Sequence, residues 1–251
     1  MIVRSLPTGV LAVSHQAHAL LAFQLADHWG NRATPRPGPR ADVLAAVLLG
    51  AGGPDDCDRP PRLGADGAPL AFDAWPGGER EALWRRSIER ADACGTYVGW
   101  LVSSHVSSLA ARDPDAHRAL LADHDERRAG LAVDPRHRQL LATGGDAVNR
   151  AILRISDAVA RHLILGLAAP ATVPDLPRRT GVVPLVLEPL RGDRIRLRPW
   201  PFSGPRLTVA VEARELPAAR FVDQPTLAEA WRVAPRHRLS WMLECADSTQ
   251  R

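Results

Sequence analysis

The chain has 251 residues, 45% of them hydrophobic, which suits one large domain or a domain with an appendage and excludes wholesale disorder. All 32 basic residues are arginine and the net charge is only +4, so the basic character is thin and weighs against nucleic acid, which needs clustered charge on one surface. There is no apolar run of membrane-spanning length and no basic-then-apolar leader, and Cys57, Cys94 and Cys245 lack the paired spacing of a disulfide framework or zinc knuckle, so a reducing cytoplasm is the expected setting.

Residues 2–13 alternate loosely around Pro7 and Gly9 and read as a short hairpin or edge strand. Ser14 is an N-cap before an Ala/Leu-rich helix over 15–29. After a Pro/Arg/Gly loop, 41–49 reads as a short apolar helix stopped by Gly50. Residues 50–78 are rich in Gly, Pro and Asp and read as a long irregular loop. Helices are predicted over 79–93, 96–111, 115–131, 135–141 and 146–167. Beyond Pro170 the period changes to two. Pro174 and Pro177 read as punctuation, and 182–188, 194–200 and 207–215 read as antiparallel strands. Residues 226–231 suit a short helix, while 237–245 fit either state. The expected division is a helical body over 1–170 and a β-rich section over 171–251 packed on it.

Five segments stand in a recognisable order: SHQAHALLAFQLADHWGN (Ser14–Asn31), PDDCDRPPRLGADGAPLAF (Pro54–Phe72), GWLVSSHVSSLAAR (Gly99–Arg112), ILRISDAVARHL (Ile152–Leu163) and RLRPWPF (Arg196–Phe202). Together they resemble a bacterial HD-domain-like family known only as a domain of unknown function. The resemblance implies an α+β, mainly α fold: an HD-like helical bundle with a small antiparallel β-rich C-terminal section. In HD enzymes His and Asp side chains from several helices hold divalent metals that activate water against a phosphate ester. Carried over by position, His18 matches the first-helix histidine, His105 the central one and Asp157 the late aspartate. The His-Asp pair itself falls near Gly50 and Ala51, neither of which has a ligating side chain. His15 stands where the family has glutamine, and Pro54 where it has tryptophan.

His15 and His18 are three apart on one helix and face a similar direction. They read as metal or phosphate contacts, or as one buried, hydrogen-bonded histidine and one exposed histidine in the cap region. His105 interrupts an apolar helix and needs a partner, which Asp157 could supply as a co-ligand or as a plain polar bridge. Asp55, Asp56 and Asp58 could add oxygen ligands or simply be solvated. Cys57 has no activating base nearby in sequence. Arg194, Arg196 and Arg198 share one strand face, an anion ladder or a solvated surface. Trp200, Pro201 and Phe202 read as an anchor between sheet and helices.

The expected protein is therefore a divergent, catalytically impaired HD-like one. Its metal candidates are His18, His105, Asp157 and His15, its implied cofactor a divalent metal, and its implied partner a small anionic ligand. No residue stands out as catalytic. Two alternatives stay open: a metal-dependent phosphohydrolase completed by Asp55 or Asp56, and a non-catalytic interaction protein.

Overall fold

The computed structural model describes residues 1–50 and 61–245. The chain opens with a hairpin, β1 (Ile2–Ser5) and β2 (Val10–Val13), followed by α1 (His15–Asp27) and α2 (Arg40–Gly50). A 3-10 turn at Phe72–Ala74 leads into α3 (Gly77–Cys94), α4 (Thr96–Ala110), α5 (Arg118–Val133), α6 (Pro135–Ala142) and α7 (Gly145–Leu165). Four strands follow, with one helix among them: β3 (Ala171–Arg178), β4 (Gly181–Pro189), β5 (Arg194–Arg198), β6 (Arg206–Leu216), α8 (Gln224–Val233) and β7 (Arg236–Cys245).

The local signals are those of the sequence. Ser14 Oγ accepts from the Ala17 amide at 3.1 Å and starts α1. Asp134 and Asp223 cap α6 and α8 in the same way, each ahead of a proline in the first turn. Gly95, at φ 156°, ends α3 and begins α4. The two helices then pack so closely that a Cβ on Gly99 would lie 1.8 Å from Asp92 Oδ1.

The strands form one seven-stranded mixed sheet in the order β1-β2-β6-β7-β5-β4-β3, with β5 and β7 parallel and the other pairs antiparallel. Both edge strands, β1 and β3, pack against α7, and β6, third in the order, packs against α1. A sheet whose two edges return to one helix has to curl, and the result is a half-barrel around the α1/α7 pair. Inward residues such as Leu185, Leu187, Ile195, Leu197, Val209 and Leu243 are buried in the same core as Leu21, Ile152, Val159 and Leu163.

This corrects the expected helical bundle with a small C-terminal β section. Of the described residues 49% are helical and 23% are in strands, and the sheet is a principal layer rather than an appendage. Three features enlarge it. The N-terminal hairpin joins through β2 to β6. Residues 236–245, which fit either state, form a ten-residue strand between β6 and β5. Residues 171–178 form β3 despite Pro174 and Pro177, because an edge strand has one unpaired side where a missing N–H costs nothing. A bulge between Val173 and Leu176 lies at the first of these prolines.

The anchor reading of the Trp-Pro-Phe segment matches its contacts. Trp200 and Phe202 are buried, Gly30 donates to the Pro201 carbonyl at 2.8 Å, and Asn31 Nδ2 donates to the carbonyls of Trp200 and Phe202. The arginines of β5 are matched by carboxylates. Arg194 meets Glu244 at 2.7 Å, and Arg198 and Arg196 reach Glu188 at 2.8 and 3.6 Å. Cys94 and Cys245 are free thiols, and no described helix is long and apolar enough to cross a membrane.

Candidate functional site

Three helices each bring one polar side chain into the interior. His18 lies on the buried face of α1 with Leu21, Ala22 and Leu25, His105 on α4 between buried Val102 and Val106, and Asp157 on α7 beside Ser156 and Val159. His18 is 5% exposed and His105 6%, while the Asp157 side chain keeps 21%. His18 Nε2 is 3.2 Å from the Asp157 carbonyl oxygen, to which it donates, and 3.7 Å from Oδ1. His105 Nε2 is 3.9 Å from Oδ2. One carboxylate thus presents an oxygen to each imidazole. Both carboxylate separations exceed a direct hydrogen bond.

Burial pushes the His105 pKa down. Asp157 opposes that, while His18, Arg154 and Arg112 add to it, so the ring is neutral at physiological pH. His105 Nδ1 is buried with no hydrogen-bond partner among the described residues.

His15 keeps different company. Its Nε2 accepts from the Met1 α-amino group at 3.3 Å, and its ring meets Phe72 edge-on at 4.5 Å. Of the four expected ligands, the structure gathers His18, His105 and Asp157. Asp55, Asp56, Asp58, Cys57 and Ala51 lie outside the described residues. Two imidazoles and a carboxylate are chemically suited to a first-row divalent ion. Among the described residues, however, no group of three or more His, Cys, Asp or Glu side chains is arranged to hold one.

His105 also stands on the wall of a cleft of about 750 Å³. The α4 wall is Ser104, His105, Ser107, Ser108 and Ala111, and α5 adds Leu121 and His124. From α7 come Val148, Arg150, Ala151 and Arg154. The β3–β4 hairpin closes the remaining side with Asp175, Pro177, Arg178, Gly181 and Val182. Arg154 is fixed by the Pro174 carbonyl at 2.9 Å and the Asp175 carboxylate at 3.5 Å. Asp175 adopts a left-handed φ of 59° within the β3 bulge, a costly conformation for a non-glycine residue. Arg150 lies 3.3 Å from Asp146 and over the Trp100 ring. Arg178 Nε donates to the Ala33 carbonyl at 3.2 Å, and no described carboxylate lies within 4.0 Å of its guanidinium. Burial pushes the His124 pKa down, and its Nδ1 is 3.1 Å from Ser103 Oγ.

Apart from His105, these cleft residues did not stand out in the sequence. Two signals could have found them. Ser104, Ser108 and Ala111 recur at helical spacing on α4, as Arg150 and Arg154 do on α7.

Residues 1–218 match the model of a family described as "Protein of unknown function (DUF3891)". The chain belongs to that family. The DUF3891 match spans the His18, His105 and Asp157 positions and every residue of the cleft. No curated protein and no solved structure matches the chain.

Proposed function

We propose that this DUF3891 chain is a divergent HD-like protein with an impaired hydrolytic centre, and that it binds a small anionic ligand in the cleft beside His105. One observation carries the reading. His105 belongs both to the wall of an arginine-bearing cleft and to the cluster around Asp157. A ligand in the cleft therefore sits next to the one carboxylate shared by two histidines. The impairment rests on Gly50, where the resemblance puts the first residue of the His-Asp pair. A Cβ at Gly50 would lie 3.8 Å from His105 Cδ2 and 3.5 Å from a Leu153 methyl, so a side chain there would extend beside His105. Glycine supplies no ligand in that space.

The test is titration with phosphate, sulfate and acetate, followed by the ring resonances of His105 and by calorimetry. Saturable movement of the His105 signals is the expected result. Unmoved signals with no heat at millimolar anion would overturn the reading. A second reading, a metal-dependent phosphohydrolase, is favoured by the way the two oxygens of Asp157 face two Nε2 atoms. It calls for further ligands, with Asp55 and Asp56 the candidates. Phosphoesterase turnover that requires added manganese and vanishes in Asp157→Asn would decide for it.

A further inference from the structure

We infer that the cleft selects a compact dianion with an apolar body, a phosphate monoester or a small dicarboxylate, clamped by Arg178 and the two α7 arginines without a metal. The inference builds on the small-anion reading above and adds the charge, shape and clamp of the ligand.

Charge comes first. The lining holds three guanidinium groups, Arg150, Arg154 and Arg178, against one carboxylate, Asp175, an excess of two positive charges. His105 and His124 place imidazole nitrogens on the same wall. A ligand with two negative charges matches the lining's own count, with Asp146 and Asp157 lying outside it. Arg150 is partly offset by Asp146 from outside the lining, and Arg154 by Asp175. Of the three, Arg178 is the least compensated, with no described carboxylate within 4.0 Å.

Unpaired polar atoms come second. His105 and Ser107 are 6% and 7% exposed, both line the cleft, and both His105 Nδ1 and Ser107 Oγ lack a hydrogen-bond partner among the described residues. Both atoms are closed off from the open cleft, so they count as costs of the unliganded wall and not as ready contacts for a ligand. Shape comes third. Leu121, Val148, Pro177 and Val182 give the same cleft an apolar side for the organic part. The arginines are also placed in advance. Arg154 is tied to the β3 bulge and Arg178 to the Ala33 carbonyl, so little ordering remains to be done on binding.

The experiment compares phenyl phosphate with phenyl sulfate by calorimetry at pH 8 in EDTA. The two have nearly the same shape and differ by one charge, because the second phosphate proton leaves near pH 6. Phenyl phosphate is expected to bind about tenfold or more tighter, and Arg178→Ala to erase most of that ratio. If Arg178→Ala fails to fold, Arg178→Gln keeps a donor for Ala33 and removes the charge. Phthalate and inorganic phosphate complete the panel and separate dicarboxylate from phosphate recognition. Equal affinity for phenyl phosphate and phenyl sulfate overturns the dianion inference and leaves the small-anion reading intact. No binding by any member overturns both. Binding that EDTA abolishes overturns the metal-free clamp.

Discussion

His105→Leu is the substitution that separates a residue kept for a ligand from one kept for the fold. The His105 side chain is 3% exposed, and its Nδ1 has no partner among the described residues. An orphaned buried polar atom costs about 1–3 kcal/mol, which leucine removes. The substitution forfeits little in exchange. Nε2 stands 3.9 Å from Asp157 Oδ2, beyond a hydrogen bond. Two full charges at that distance would attract by about 4 kcal/mol at an effective dielectric near 20, but burial keeps the ring neutral, so that energy is not present to lose. Leucine is close to imidazole in volume, and its packing cost is about 1 kcal/mol or less. The balance runs from about zero to about 2 kcal/mol of added stability, or a rise in Tm of a few degrees at about 2–4 °C per kcal/mol. Urea denaturation of both proteins, with the slope unchanged, measures it. A loss of more than about 2 kcal/mol would refute the reasoning. It would mean that His105 makes a structural bond in solution, and that its place on the cleft wall is incidental.

Three other outcomes follow from the same geometry. Asn149 is 1% exposed; it donates to the Gly38 carbonyl and the Tyr97 hydroxyl, both at 2.7 Å, and accepts from the Gly38 amide at 3.1 Å. Asn149→Ala should cost about 3 kcal/mol in denaturant and Tyr97→Phe about 1 kcal/mol, because the phenol makes one of the three bonds. Glu81 is held below its ordinary value of 4.5, first by the hydrogen bond from His117 at 2.8 Å and then by Arg85, against burial. Its contribution is complete above about pH 4.5 and is lost as the pH falls through the lower folded value, so Glu81→Gln should flatten the acid limb of a stability–pH curve. Arg194→Ala breaks an ion pair with Glu244 whose arginine is half exposed, and should change stability by less than about 1 kcal/mol.

The helices were legible because each carries its own punctuation. Ser14, Asp134, Gly95 and Gly166 are local chemistry, and they end or begin helices whatever the tertiary context. The sheet was less legible because its membership depends on partners far away in the chain. Nothing within residues 10–13 says that they will pair with 214–216, or within 236–245 that a parallel neighbour waits at β5. Pro174 and Pro177 read as breakers, and only the position of β3 at the edge makes them harmless. At the candidate site, an isolated histidine and an isolated aspartate in apolar helices were enough to pair His105 with Asp157. His15 was drawn in by its spacing of three from His18 on one helix. The turn that separates it from His18 sets its ring against Met1 and Phe72 instead.

What unites the centre and the cleft is α7. Arg150, Arg154 and Asp157 recur at intervals of four and three, so they form one polar stripe along a helix whose other face, Ile152, Ile155, Val159 and Leu163, is wholly buried. Arg150 is exposed and Arg154 and Asp157 are half-buried, so the stripe borders open space with a polar surface on its far side. On α4, Ser104, His105 and Ser108 form that surface. The curl of the sheet supplies the third side, because returning β3 to α7 sets the hairpin over the same stripe. The bulge then makes the contact specific. Two residues depart from regular pairing, Asp175 is forced into a left-handed turn, and the Pro174 carbonyl and Asp175 carboxylate both close on Arg154. Exposed hairpins seldom hold such strain unless its placement matters. Here the strain holds a guanidinium one helical turn from the carboxylate that His18 and His105 share. That arrangement suits a ligand that must meet a fixed positive charge and a neutral histidine together.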